Sequence, residues 1–387
     1  MNLQERDQKY IAHAYARYPV TFVRGAGAHV WDDAGKEYID FATGYGVNSF
    51  GLCDPVWAEA VAAQAQKLSH VSNLFYTEPC VTLAEKLCAR TGFRRVFFQN
   101  SGAEANECAM KAARKYSSDK YGEGRGVIVT LEHSFHGRTH ATITATGSRE
   151  YHTSFYPFPT GYVLVPPNDL DALEKALDRG DVCAFMFECV QGEGGVNTLE
   201  KDYLQAAEKL CRARDILLLD DEVQTGNGRT GTLYAFEQFG ITPDLLTTAK
   251  GIGGGLPIGV AMFGAATADT LTPGTHGTTF GGNPIVCAGA NTIIDRLDAA
   301  FLAEVTRKGI LAREILLTMP HVQGVSGLGL MIGVTLDVDA AAVSKACVAA
   351  GLVAITAHEK LRVLPPLNIS QADLEAGLQI LHGVLAQ

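Results

Sequence analysis

The residues best suited to chemistry stand at the ends of apolar runs. Ile216–Leu219 is followed at once by Asp220, Asp221 and Glu222, within the stretch LLLDDEVQTGNGRTG over 217–231. A short apolar run bounded by turn residues reads as a buried strand. A carboxylate at its end is expensive to desolvate unless a cation meets it. Side chains alternate across a strand, so Asp220 and Asp221 cannot share a face: one can address a ligand while the other is solvated or caps a helix. Lys250, in TTAKGIGGGLPIG, closes another such run before a glycine-rich turn. A lysine partly withdrawn from water has a lowered pKa and an amine free for Schiff-base chemistry. Taken alone, the stretch equally describes a surface lysine beside a flexible loop. From Asp221 to Lys250 is 29 positions, close to the ~30 residues of a βαβ unit, so the two groups can end neighbouring strands.

Two further stretches end predicted strands. In FFQNSGAEANECAMKAARK, residues 97–115, a strand gives way to Ser101-Gly102-Ala103 and then to a helix. Free N–H groups and the helix dipole make such a turn an anion site, although an ordinary capped turn has the same look. No Gly-Lys-Ser/Thr follows, so it is not a nucleoside-triphosphate loop. In EHSFHGRTH, residues 132–140, Phe135 can stack on a flat ring and Arg138 can grip a carboxylate in a fork, unless they are a packed aromatic and a surface arginine. A phosphate cradle, a carboxylate, a desolvated lysine and a stacking aromatic together are what pyridoxal 5'-phosphate requires. The carboxylate would keep the pyridine nitrogen protonated, and the pyridinium would be the cation awaited at the acidic strand end.

The elements that must position these groups form a regular pattern. From about 95 to 263, RRVFFQ, GVIVTLE, CAFMFEC, ILLLDDE, DLLTTAK and GVAMFG read as short strands, with helical stretches such as KDYLQAAEKLCRARD between several of them. This predicts an α/β fold with a mostly parallel central sheet and helices on both faces, in which ligands bind at the carboxyl ends of the strands. AHVWDDAGKEYIDF reads as a hairpin turning at Asp33–Lys36. Towards the C-terminus, GLMIGVTLDVD reads as a strand and AAAVSKACVAAG as a helix stopped by Gly351. Ser370 and Asp373 resemble a capping box ahead of Leu374, Leu378, Leu381 and Leu385 at helical spacing. We expect an N-terminal segment (1–45) joining a smaller α+β domain (286–387), with a large ligand-binding domain (46–285) between them.

Composition narrows the partners. The chain has 387 residues, 47% hydrophobic and 19% charged, enough for a sizeable core. A net charge of -10 disfavours nucleic acid, which needs concentrated Lys and Arg. The N-terminus lacks the pattern of a signal peptide, and no apolar run is long enough to cross a bilayer. The nine cysteines show neither a C-x-x-C motif nor zinc spacing, which argues for reduced thiols in a cytoplasmic protein and for no metal site.

Several ordered motifs then identify a resemblance. YPVTFVRGAGAHVWDDAGKEYIDF, NSGAEANE, FHGRT, QGEGGV, LDDEVQTGNGRTG, TTAKGIGGGLPIG, HGTTFGGNP and GLGLMIG together resemble the class III (ω-amino acid) aminotransferases, pyridoxal-phosphate enzymes of fold type I. The resemblance implies that Lys250 carries the cofactor and acts as general base, and that Asp221 pairs with the ring nitrogen. It implies Gln224 on the ring hydroxyl and Val223 and Phe135 on the two ring faces. Ser101, Gly102 and Ala103 would hold the phosphate, as would Thr279 of a neighbouring subunit, making the enzyme a homodimer with shared sites. His136 would be structural, and Asp220 would lie on the opposite face with a polar neighbour.

The same resemblance implies a ping-pong exchange between an ω-amine and 2-oxoglutarate. Arg138 would take the carboxylate common to both substrates. Arg362 would take the second carboxylate of glutamate or 2-oxoglutarate, and Glu193 would cover Arg362 when the ω-amine is bound. Gly44, where ornithine enzymes carry a tyrosine, leaves room for an acylated α-amine, unless Tyr45 fills it. Tyr15 aligns near a substrate-side tyrosine. The donor expected is N-acetylornithine, in arginine biosynthesis. Ornithine, 4-aminobutyrate, succinylornithine and an acylated lysine are alternatives, as is a same-fold isomerase or decarboxylase. The chain departs from the family pattern at Cys189, where proline is usual, at Ser326, where arginine is usual, at Asp220, and in GLCDP.

Overall fold

The computed structural model describes all 387 residues. Its centre is a seven-stranded sheet whose strands lie side by side in the order Arg95–Gln99, Gly259–Phe263, Leu245–Thr248, Leu217–Asp221, Val182–Phe187, Val127–Leu131 and Tyr162–Val165. Gly259–Phe263 runs antiparallel to both of its neighbours, and the other pairings are parallel. All six expected strands are present. The seventh, the edge strand in GYVLVPP, was not anticipated.

Alternation along each strand explains why these runs are apolar throughout. Leu217 and Leu219 face the same side as Ala184, Met186 and Ile128, and pack with Cys108, Ala109, Ala112 and Ala113 of the helix Gly102–Tyr121. Leu218, Phe185, Phe187 and Val129 face the other side, against Leu204, Ala207 and Cys211 of the helix Lys201–Ala213. Both faces are covered, so neither can be polar. Asp221 therefore falls on the side of the helix Gly102–Tyr121 and Asp220 on the other.

Two smaller sheets flank this body. Phe22–Ala26, His29–Asp32 and Glu37–Asp40 form an antiparallel meander, joined in parallel by Leu352–Val353 from far along the chain. The expected hairpin is two of these strands; its turn is held by Asp32, whose Oδ1 accepts from the N–H groups of Ala34 and Lys36. Val322–Leu328, Met331–Leu336, Lys360–Val363 and Ile355–Ala357 make an antiparallel sheet, and this sheet delivers Arg362. The helix Ala340–Ala350 ends at Gly351 with φ 98°, as its glycine suggests. In the final helix, Gln371–Leu385, Ser370 Oγ accepts from Asp373 N–H, which is half of the expected capping box. All nine cysteines are unpaired thiols. No helix is long and apolar enough to cross a membrane.

Candidate active site

Ser101, Gly102, Ala103, Phe135, Arg138, Asp221, Val223, Gln224 and Lys250 line one cavity of about 500 Å³ at the carboxyl ends of the parallel strands. Asp221 Oδ2 accepts from Asn106 Nδ2 at 2.7 Å and lies 2.7 Å from His136 Nδ1, while Oδ1 accepts from Val223 N–H at 3.1 Å. Asn106 is itself fixed by the Thr247 hydroxyl, which donates to its Oδ1 at 2.6 Å. The sequence reading missed Asn106, although it lies inside the quoted NSGAEANE. His136 was read as structural, and the structure shows it oriented directly on the Asp221 carboxylate.

Lys250 follows the strand Leu245–Thr248, which pairs directly with the Asp221 strand. Its φ of 46° is unusual for a residue bearing a side chain and stores strain. The preceding peptide is clamped by Asn227, whose Nδ2 donates to Thr248 Oγ1 at 2.7 Å and to Ala249 O at 3.2 Å. This gives the TGNGRTG turn a purpose. Burial holds the Lys250 amine below its ordinary pKa, against an opposing pull from Glu193 and Asp221.

The turn before the helix Gly102–Tyr121 has the form of an anion cradle. The first N–H groups of a helix lack carbonyl partners within it. A Cβ at Gly102 would stand 2.7 Å from Val223 Cγ1, so only glycine fits there. Ser101 Oγ accepts from Glu104 N–H at 3.2 Å, which caps the helix, and the hydroxyl donates to Glu104 Oε2 at 3.4 Å. Phe135 and Val223 line the cavity walls. The buried Glu188 ties two loops together, accepting from Phe135 N–H at 2.9 Å and from Gly192 N–H at 3.1 Å. It was also missed, although it lies in FECVQGEGG.

Arg362 is wholly buried and bonds Glu193 through both carboxylate oxygens, at 2.6 and 3.2 Å. Gln224 sits between them: its Oε1 accepts from Arg362 at 3.0 Å and its Nε2 donates to Glu193 at 3.3 Å. Burial raises the Glu193 pKa, but Arg362 outweighs it and holds the carboxyl below its usual value.

Three expected residues lie elsewhere. Thr279 is exposed and borders two surface depressions away from Lys250. Tyr15 is 76% exposed on the N-terminal segment and does not reach the cavity within this chain. Gly44 has open space where a Cβ would be, with only Asn48 Nδ2 at 3.8 Å, while the Tyr45 ring lies 5.3 Å from the Arg362 guanidinium. The expectation that one strand-end aspartate is solvated is wrong: Asp220, Asp221 and Glu222 are all buried, because both faces of the sheet are covered. Asp220 does lie on the opposite face, with Cys189 Sγ 3.8 Å from its carboxylate oxygens and with Glu222 beside it. Two departures from the family pattern thus meet each other. At the third, Ser326 Oγ accepts from Lys360 Nζ at 3.0 Å.

A mostly parallel α/β sheet with a buried lysine and an oriented aspartate at adjacent strand ends suits an aldehyde-bearing aromatic cofactor. Comparison with known proteins gives the family. The description Aminotransferase class-III matches residues 10–385. The chain is 51% identical to an acetylornithine aminotransferase of Haemophilus ducreyi, covering 100% of this chain and 98% of that protein. It is 43% identical to one of Methanocaldococcus jannaschii, covering 100% and 98%. Among solved structures, an ornithine aminotransferase of Toxoplasma gondii superposes with a TM-score of 0.95 at 32% identity, over 99% of this chain and 94% of that one. An N-acetylornithine aminotransferase of Stenotrophomonas maltophilia gives 0.86 at 36% identity, over 99% and 98%. The chain belongs to the class III aminotransferases.

Proposed function

We propose that the protein transfers the ω-amino group of N-acetylornithine to 2-oxoglutarate with pyridoxal 5'-phosphate as cofactor. The observation that carries this is the Arg362–Glu193 pair, a masked cation in the same site as Lys250 and Arg138. The residues fit the cofactor: a helix N-terminus with a required glycine for its phosphate, Phe135 and Val223 for its ring faces, and Asp221 for its ring nitrogen. When bound, the cofactor supplies an aldehyde and a ring able to take up carbanion charge. Lys250, its pKa lowered by burial, serves as the base that removes and returns the proton at the substrate's amine-bearing carbon. Asp221, braced by Asn106 and His136, holds the proton on the ring nitrogen. Arg138 binds the substrate carboxylate.

Arg362 binds the second carboxylate of 2-oxoglutarate once Glu193 releases it, and with the ω-amine Glu193 stays in place. The two substrates therefore select between two gate states. Thr279, exposed in one chain, reaches the phosphate of a second subunit in a homodimer. On this reading the N-terminal 1–45 and C-terminal 286–387 segments form one body beside the cofactor-binding 46–285, supported by the pairing of Leu352 with Ile39. The unpaired thiols favour the cytoplasm.

Ornithine is the second reading, favoured by the Tyr45 ring near Arg362, where it can contact an uncapped α-amine. A single-turnover measurement on the holoenzyme distinguishes the two. Loss of the cofactor's visible absorbance should be fastest with N-acetylornithine and be reversed by 2-oxoglutarate. Faster loss with ornithine or 4-aminobutyrate moves the donor, and no loss with any amine refutes transamination.

A further inference from the structure

Arg362 is held by four partners, whereas Arg138 has neither an ion pair nor a hydrogen bond in the chain and is fixed by aromatic rings alone. Its guanidinium carbon lies 3.9 Å from the centre of the Tyr151 ring and 5.5 Å from that of Phe135. Tyr151 also meets Phe135 edge-on, with ring centres 5.7 Å apart at 78°. Tyr151 is not in any motif that led to the site. It ends the short turn Arg149–Tyr151, which is anchored on both sides: Arg149 pairs with Glu132 at 3.6 Å, and His152 Nε2 lies 2.7 Å from Ile143 O on the neighbouring helix. The turn that carries the ring is thus tied to two neighbouring segments.

We propose that Tyr151 is a positioning residue for Arg138, holding the guanidinium face against its ring so that the in-plane N–H edge stays free for the substrate's α-carboxylate. This deepens the function proposed above and rests on the role given there to Arg138. The chemistry separates cleanly. Stacking uses the guanidinium face, and bidentate carboxylate binding uses the edge, so both can operate together. Lysine could not substitute, because an ammonium has no flat face to stack. A floppy exposed arginine would have to be ordered anew by each substrate, and a stacked one is ordered beforehand. Phe135, touching Tyr151 and lining the cofactor cavity, would register that edge against the cofactor ring.

The test is steady-state kinetics of the holoenzyme with N-acetylornithine and 2-oxoglutarate. Tyr151→Leu should raise KM for both substrates by about 3- to 20-fold, the range of a partly desolvated cation–π contact, with kcat at saturation nearly kept. Tyr151→Phe should behave as the parent, since the ring and not the hydroxyl does the work. In an Arg138→Ala background, Tyr151→Leu should cost nothing further. Replacing Tyr151 with phenylalanines of increasing fluorination keeps the size and should raise KM step by step as the ring face loses negative charge, so the proposal is tested even if Tyr151→Leu folds poorly. A flat fluorination series, an equal fall in kcat, or an undiminished effect without Arg138 would overturn it. If Arg138→Ala itself leaves kcat/KM unchanged, the carboxylate role of Arg138 falls and this proposal with it. A failure confined to the Tyr151 variants leaves the proposed function standing.

Discussion

Behind Asp221 lies a buried group of acids with no cation. Asp220, Glu222 and Cys189 are all enclosed, and no Lys, Arg or His forms an ion pair with any of them. Glu222 accepts from Phe236 N–H at 2.8 Å and from the Thr225 hydroxyl. Asp220 has only Cys189 and Glu222. Glu222, which has two further hydrogen-bond donors, is the easier of the two to ionise, so Asp220 keeps its proton beside it. Burial pushes Asp220 well above the carboxylate range, and it pushes Glu222 up to about 7. A carboxyl whose folded pKa is raised stabilises the fold below its unfolded pKa, and that stabilisation is lost as pH rises through the folded value. For Glu222 the window runs from 4.5 to about 7. The loss is about 3 kcal/mol across it, a fall in Tm on the order of 5 °C. We predict this decline between pH 4.5 and about 7 in thermal unfolding of the holoenzyme at fixed protein concentration. Glu222→Gln should remove its own share of this decline and leave that of Glu188, whose buried carboxyl is also pushed up to about 7. Asp220 is neutral in the fold and ionised in the unfolded chain, so it adds a slope that continues above this window, and Asp220→Asn should remove that slope. A decline below about pH 7 that Glu222→Gln leaves unchanged, or a decline above it that Asp220→Asn leaves unchanged, would show that the proton has been assigned to the wrong residue.

Two further predictions concern the chemistry. Lys250→Ala should abolish turnover while leaving the fold intact by circular dichroism; normal turnover in this variant would sink the mechanism. Arg362→Ala should weaken the 2-oxoglutarate half-reaction by 10- to 100-fold or so, the worth of a lost charged hydrogen-bond pair, and leave the N-acetylornithine half within a few-fold. Equal losses in the two single-turnover rates would argue against a gate.

Much of this site was legible because its chemistry is tied to strand ends. Apolar runs that end in Asp221 and Lys250 declare both the sheet and the place where a ligand must sit, and the helix start at Ser101 declares the anion cradle. The edge strand Tyr162–Val165 was missed because its run is short and ends in two prolines. Groups that act on other side chains were harder to see. Asn106 and His136 orient Asp221, Glu188 joins two loops, and Tyr151 stacks on Arg138. In each case the partner is distant in sequence, and periodicity carries no sign of it.

The burial of Asp220 was misjudged for a related reason. A strand end reads as solvated when only its own residues are considered, but the loop carrying Glu188 and Cys189 closes over it. The consequence bears on how this chain tolerates its departures from the family. An aspartate would be costly in that cover if it had to ionise. Beside a thiol and an acceptor that is already organised by Thr225 and Phe236, it can remain a neutral donor. The same acceptor holds the segment leading to Asn227, and Asn227 clamps the backbone before Lys250. Asp220 and Cys189 therefore act as one contacting pair, with Glu222 as the link to Lys250. Replacing either alone should disturb the segment that positions Lys250 more than replacing both.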